Sequence, residues 1–272
     1  MIVNMKYLLN DAKKNRYAVP HFNINNLEWA KYILEECNIN NSPVIIGVSE
    51  GAINYMGGYN VVSGLVYDLI HDLKITILVV LHLDHGSLEG CIEAIKANFS
   101  SVMIDGSKLP INENIELVKK VVEMAGKSVS VEAEVGNLDG ENVAPVSDCT
   151  LMSNIGITCL APAVGNKHGI YTENPKLDFE KMKEISLATS LPLVLHGSSG
   201  ISDEDLKKAI ENGICKVNIN TDLQIAWAES VKNYINKNPD IYDPRKIIQS
   251  GELALKRKIK YLLITLGSIY KG

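Results

Sequence analysis

Between residues 18 and 220 the sequence alternates short apolar runs, rich in β-branched residues, with stretches that repeat apolar residues at helical spacing. The strand candidates are AVPHFN (18–23), PVIIGVS (43–49), ITILVVLHLD (75–84), SVMID (101–105), SVSVEAEV (128–135), GITCLAPAV (156–164), LPLVLHG (191–197) and KVNIN (216–220). Between them, LEWAKYILEEC (27–37), SLEGCIEAIKANF (87–99), NENIELVKKVVEMA (112–125), DFEKMKEISLAT (178–189) and DEDLKKAIENG (203–213) read as helices. Ser202 is placed to cap the last of these, and Thr221-Asp222 to begin another. Runs such as ITILVV and LPLVL are apolar at consecutive positions, as strands of a parallel sheet covered on both faces must be. Eight β/α repeats predict an α/β fold, a (β/α)8 TIM barrel, which typically needs about 250 residues. The chain has 272. A doubly wound open sheet would show the same alternation, but the first strand–helix junction lacks GxGxxG. No Gly/Ser/Pro-rich linker interrupts the chain, so residues 1–272 read as one domain with a C-terminal helical extension, DPRKIIQSGELALKRKIKYLLITLGS.

Charge and cysteine usage exclude several function classes. The net charge is −5, with no basic run of the kind that tracks nucleic acid. No apolar run is long enough to span a bilayer, and the N-terminal residues turn polar too quickly for a signal peptide. Cys37, Cys91, Cys149, Cys159 and Cys215 are scattered and form no CxxC. They read as buried thiols of a reduced, cytoplasmic protein.

In a TIM barrel the active site is built at the C-terminal ends of the strands. Those ends carry Asn23, then Ser49 and Glu50, Asp84 and His85, Asp105, Glu132 and Glu134, His168, the segment His196-Gly-Ser-Ser-Gly, and finally Asn218 and Asn220. A single polar strand end is ordinary, and a lone histidine there is usually a hydrogen-bonded structural residue. His85, His168 and His196 at one rim, beside Asp84, are a ligand set: three neutral imidazoles with an open fourth position form a catalytic zinc site, able to polarise a carbonyl. Asp84 is then a candidate proton shuttle, or alternatively a carboxylate that orients an imidazole. Neighbours on a strand face opposite sides, so Asp84 and His85 can share a site only if the chain turns there, and Gly86 is placed to allow it. His21 and His82 read as supporting residues and His71 as a surface helix residue. The turns HGSSG (196–200) and NINTD (218–222) follow the seventh and eighth strands, where barrels usually bind phosphate. A metal beside a phosphate nest implies a small phosphorylated carbonyl substrate.

HFNINNLEWA, SPVIIGVSEGAINYMGG, LHLDHG, SVMIDGS, SVEAEVG, CLAPAVGNKHG, LPLVLHGSSGI, KVNINTD and YDPRK follow one another between residues 21 and 246. In that order they resemble the class II, zinc-dependent ketose-bisphosphate aldolases, in particular the shorter fructose-bisphosphate branch. The resemblance implies that His85, His168 and His196 hold a zinc ion, that Asp105 and Glu134 form an alternative or second metal position, and that Asp84 moves a proton on and off the C4 hydroxyl. It implies dihydroxyacetone phosphate binding by Gly169, by Gly197, Ser198 and Ser199, and by Asn218, Ile219, Asn220 and Thr221, with Asn23 and Ser49 as further substrate contacts. Arg245 would reach the other phosphate from a neighbouring subunit of a homodimer or homotetramer. A monovalent cation is a further cofactor candidate.

The implied activity is reversible cleavage of fructose 1,6-bisphosphate to dihydroxyacetone phosphate and glyceraldehyde 3-phosphate. Asn220 favours the fructose substrate over its C4 epimer, tagatose bisphosphate, which stays open as an alternative. The loop after the fifth strand, GNLDGENVAPVSDCT, is about ten residues shorter than the resemblance leads one to expect. Asn142 stands where the family carries an acid, with Glu141 one place earlier. Either Glu141 takes that role, or the chain binds metal and sugar phosphate with little turnover.

Overall fold

The computed structural model describes residues 1–169, 171 and 175–272. Its eight strands form a closed, all-parallel barrel in sequence order. They are β1 (Val19–Asn23), β2 (Val44–Ser49), β3 (Val79–Gly86), β4 (Ser101–Ile104), β5 (Ser130–Val135), β6 (Cys159–Pro162), β7 (Leu193–Leu195) and β8 (Ile214–Ile219), with β8 pairing to β1 to close the ring. The (β/α)8 expectation therefore holds. Among the described residues twelve helices surround the strands, and periodicity predicted neither α1 (Met5–Asn15), α3 (Glu50–Met56) and α4 (Tyr59–Asp72) nor the short helix at 146–153 that follows β5.

The remaining helices are α2 (Leu27–Ile39), α5 (Leu88–Lys96), α6 (Ile111–Ala125), α7 (Val146–Ser153), α8 (Phe179–Thr189), α9 (Asp203–Glu211), α10 (Thr221–Lys237), α11 (Pro244–Gln249) and α12 (Glu252–Thr265). Ser202 caps α9 by accepting the Asp205 N–H at 3.1 Å, and Thr221 begins α10 as expected. The C-terminal extension forms α11 and α12, and α12 packs against α10 and α2 outside the barrel.

The barrel interior is layered. At the N-terminal end of the strands, Val19, Ile45, Val80 and Val194 pack on Met5, Leu8 and Leu9 of α1, which plugs that end. One layer higher the side chains change character. His21, His82, Ser101, Glu132 and Lys216 are all fully buried, where a barrel of this kind usually places branched aliphatics. They face inward because side chains alternate along each strand; the alternate residues Phe22, Leu83, Val102, Ala133 and Val217 join the outer core between strands and helices. All five cysteines are buried and unpaired. Among the described residues no helix is long and apolar enough to cross a membrane.

Candidate active site

Above the polar layer the strand ends bring the expected metal ligands together. One ring nitrogen from each of His85, His168 and His196 lies within 4.8 Å of the others, and His196 Nδ1 is 3.1 Å from His85 Nε2. Asp105 accepts from His85 Nδ1 at 3.0 Å, leaving Nε2 to face the cluster. The burial of His85 alone would lower its pKa, but the Asp105 hydrogen bond and the carboxylates of Asp84 and Glu134 raise it to about 9. His168 is the most exposed of the three, and partial desolvation with the two neighbouring imidazoles lowers it to about 4.

Asp84 does stand beside His85, but Gly86 is not what makes that possible. His85 itself adopts the left-handed backbone, with φ of 50°. There β3 shifts register against β4, Leu83 opposing Val102 and Gly86 opposing Ile104, so β3 carries one extra residue, a β-bulge. The bulge turns His85 toward the rim without removing Asp84 from it. Gly86 contributes space instead: a Cβ there would overlap the Leu83 side chain and sit 2.9 Å from the Met103 carbonyl oxygen.

The Asp84 carboxylate accepts from Asn23 Nδ2 at 2.8 Å and from Asn218 Nδ2 at 3.4 Å, with His21 Nε2 3.8 Å away. Burial pushes its pKa up, but the imidazoles of His21, His85 and His196 and the Lys216 ammonium hold it well below the ordinary carboxylate range. Asp84 is therefore an ionised, acceptor-only group, fixed by two amides at the edge of the histidine cluster.

Two cavities meet at that cluster. The larger, about 500 Å³, is lined by His85, His168, Asp105, Glu134, Lys108 and Asp139, among others. Burial raises the Glu134 carboxyl to about 8, and its buried Oε2 has no hydrogen-bond partner. The smaller, about 210 Å³, is lined by Asn23, Ser49, Asp84, Gly169, Gly197, Ser199, Asn218, Asn220 and Thr221, together with His85 and His168. Its far wall is the N-terminus of α10, where Asn220 occupies the cap position without making a side-chain cap bond. The helix dipole favours an anion there, although the Asp222 N–H already bonds Ser199 Oγ at 3.3 Å and those of Leu223 and Gln224 bond the Asn220 carbonyl.

The sequence matches the family described as fructose-bisphosphate aldolase class-II over residues 3–271. The chain belongs to that family. The fructose-bisphosphate aldolases of Mycoplasma genitalium and Staphylococcus aureus (strain Mu50) are each 49% identical to it over 271 residues, covering 94% of both chains in the first case and 95% of both in the second. Among solved structures, the YdjI aldolase of Escherichia coli K12 matches with a TM-score of 0.88 at 33% identity, over 100% of this chain and 99% of its own. A Campylobacter jejuni fructose-bisphosphate aldolase shares the fold, with a TM-score of 0.85 at 24% identity over 100% of this chain and 97% of its own.

Not every residue expected from the class II aldolase resemblance reaches the two cavities. Ile219 faces the outer hydrophobic core and lines neither cavity. Ser198 is buried and donates to the Asn218 carbonyl at 2.5 Å, bracing the pocket from behind. Arg245 lies on α11 with its guanidinium exposed and bonded to Asp243 at 2.9 Å; it lines neither cavity. Glu141 is also exposed and lines neither. Its loop is drawn against the β6–α8 connection by bridges between Asp139 and Lys167 and between Val143 and Val164. Asp139 accepts from the N–H groups of Glu141 and Asn142 and from Asn142 Nδ2, which lowers its pKa. Glu50, another strand-end carboxylate, is occupied by Ser87 N and Oγ at 2.8 and 2.7 Å.

Sequence reasoning passed over Lys216, Asn166 and Tyr171. Asn166 donates to the His196 carbonyl at 3.0 Å, and Tyr171 donates to the Gly197 carbonyl at 2.9 Å. These bonds hold the His196-Gly197 turn in place. Only Lys216 left a signal: a cation alternating with Asn218 and Asn220 on a barrel strand must point inward.

Proposed function

We propose that this chain catalyses the reversible aldol cleavage of fructose 1,6-bisphosphate to dihydroxyacetone phosphate and glyceraldehyde 3-phosphate, with a zinc ion held by His85, His168 and His196. The observation that carries this reading is the convergence of three imidazole nitrogens beside the ionised Asp84, at the junction of a rim cavity and a helix N-terminus. The donor set fits a divalent cation. Three imidazoles face one point, Asp84, Asp105 and Glu134 surround them, and the buried Glu134 Oε2 has no other partner. When bound, the ion supplies Lewis-acid polarisation of the substrate carbonyl. Asp105 and Glu134 are the candidates for a second or alternative metal position, and a monovalent cation is a further candidate at the phosphate pocket.

The protein side chains divide the remaining work. Thr221 at the N-terminus of α10, with Gly197 and Ser199, holds the phosphate next to the carbonyl end of the substrate. Asp84, aimed by Asn23 and Asn218, removes the proton from the C4 hydroxyl. The C3–C4 bond then breaks, C4 becomes the aldehyde carbon, and the electron pair passes through C3 to the C2 carbonyl oxygen, leaving an enediolate. Return of a proton to C3 is assigned to Glu141, because the other carboxyl between Gly136 and Pro145, Asp139, is committed to three N–H donors. Glu141 reaches the site only by movement of the loop tip. Arg245 is assigned to the second phosphate of a neighbouring copy in a homo-oligomer. The whole chain acts as one barrel domain, in the cytoplasm.

Substrate choice at C4 is assigned to Asn220, whose buried Oδ1 has no partner and whose side chain lines the smaller cavity. A polar group matched to a substrate hydroxyl discriminates more strongly than a change of size. The test is the rate of dihydroxyacetone phosphate release from fructose and tagatose bisphosphate, in the unmodified protein and in Asn220→Ala. A fructose preference that narrows in the variant is expected; a tagatose preference in the unmodified protein would overturn the substrate assignment.

A further inference from the structure

One ion pair in the barrel interior has no part in the steps above. Lys216 Nζ on β8 lies 2.6 Å from Glu132 Oε2 on β5, and both residues are fully buried. Lys216 Nζ also approaches His82 Nε2 at 3.5 Å, while His82 Nδ1 bonds Ser101 Oγ at 2.7 Å. The second Glu132 oxygen, Oε1, is 2.8 Å from His196 Nε2. Removing two charges from water is costly, and well-packed apolar side chains often replace such a pair without loss of stability. Barrel stability alone gives little reason for it.

The hydrogen-bond chemistry gives a better one. An ionised carboxylate only accepts, so His196 Nε2 must carry the proton and Nδ1 must carry the free lone pair. Nδ1 is the atom that faces His85 Nε2 across the candidate metal position. We infer that Glu132 is a positioning residue for metal binding: it locks His196 in the Nε2-protonated tautomer that presents Nδ1 to the ion, and Lys216 anchors the carboxylate that does so. The inference rests on the metal-dependent reading above. The same ammonium bears on the neighbouring cluster of His21, His82 and Asp84, whose candidate ligand atoms lie within 4.8 Å of one another. The His82 Nε2 lone pair is directed at the Lys216 ammonium.

The test exploits the geometry of glutamine. In Glu132→Gln the amide oxygen must face the Lys216 ammonium, because an NH2 group there would oppose another donor. The amide NH2 then faces His196 Nε2 and forces the proton onto Nδ1, the ligand atom. Adding Lys216→Met frees the amide to turn its oxygen back to His196. Cobalt(II) affinity, measured on the full chain by chelator competition, should fall about 10–100-fold in E132Q, the usual effect of losing such a partner, and should recover in part in the E132Q/K216M double variant. Imidazole ¹⁵N NMR of the metal-free proteins should find the His196 proton on Nε2 in the unmodified chain and on Nδ1 in E132Q. Unchanged affinity in a folded E132Q would overturn the inference. So would a proton on Nδ1 of the unmodified chain, a measurement that needs no variant to fold. Failure of the unmodified chain to bind cobalt would instead contradict the metal reading itself.

Discussion

Gly47→Ala should damage a site it does not touch. Gly47 lies on β2 with an ordinary extended backbone, so alanine meets no conformational obstacle and should even gain about 0.4–1 kcal/mol by restricting the unfolded chain. The obstacle is His21, whose imidazole points its Nε2 at the glycine: an added Cβ would overlap Nε2 and sit 2.5 Å from Cε1 and 2.6 Å from Cδ2. The ring has little room to withdraw. It is fully buried, stands edge-on to His82 with centroids 5.4 Å apart, and has Asp84 Oδ2 3.8 Å from Nε2. Forcing a group of this size into a packed interior costs about 1–3 kcal/mol. In a chain of this length that is roughly 2–4 °C of Tm per kcal/mol. Displacing His21 disturbs Asp84, so turnover should fall at least about ten-fold, equivalent to about 1.4 kcal/mol of barrier. His21→Ala removes the ring together with two nitrogens that have no hydrogen-bond partner, which makes room for the methyl group. The double variant should therefore be more stable than the sum of the singles by about 0.5–3 kcal/mol. Thermal unfolding of the four proteins, with dihydroxyacetone phosphate release measured in parallel, completes the cycle. Additive effects would refute the claim that Gly47 exists to seat His21.

Glu141→Gln should lower turnover by about 10²–10⁴-fold, the range for loss of a general acid, while leaving KM for fructose 1,6-bisphosphate nearly unchanged; steady-state kinetics of the variant decide it, and full activity would remove Glu141 from the reaction. Glu134→Gln should change the pH dependence of stability in the metal-free protein. With its folded pKa raised from 4.5 to about 8, Glu134 contributes stability below pH 4.5 that is lost as pH rises through 8, by on the order of 1 kcal/mol per unit. The Tm advantage of the variant should therefore grow between pH 5 and 8; a constant difference would contradict it. His82, lowered to about 3 by burial and the nearby Lys216 ammonium, works in the opposite sense. Its contribution is complete above 6.5 and is lost as pH falls toward 3, so His82→Asn should flatten the acid limb of the unmodified protein's Tm profile.

The strands were legible because a barrel strand buried on both faces is a continuous apolar run, and its rim end is where the polar residues begin. The metal ligands were legible for the same reason, each following such a run. Helices α3 and α4 were missed because α3 has only seven residues, and in α4 the stripe of Val62, Val66, Leu69 and Ile70 that packs on the core is blurred by the exposed apolar residues Val61 and Tyr67. Helix α1 sits in a stretch that was read only for its polarity, although its apolar face is what closes the barrel. The turn at His85 was assigned to Gly86 because a left-handed histidine leaves no local mark; the bulge that holds it is set by pairing with β4, a tertiary matter. Glu132 stood out as a strand-end carboxylate, but its partner lies 84 residues away. Only barrel closure brings Lys216 to it.

The most direct test of the central claim is turnover of fructose 1,6-bisphosphate measured with metal analysis on the same sample, before and after chelation and after zinc is restored. The expected result is metal bound by the unmodified chain, lost together with activity on chelation, recovered with it on zinc addition, and absent in a folded His168→Ala variant. Turnover that persists after the metal has been removed would contradict the claim.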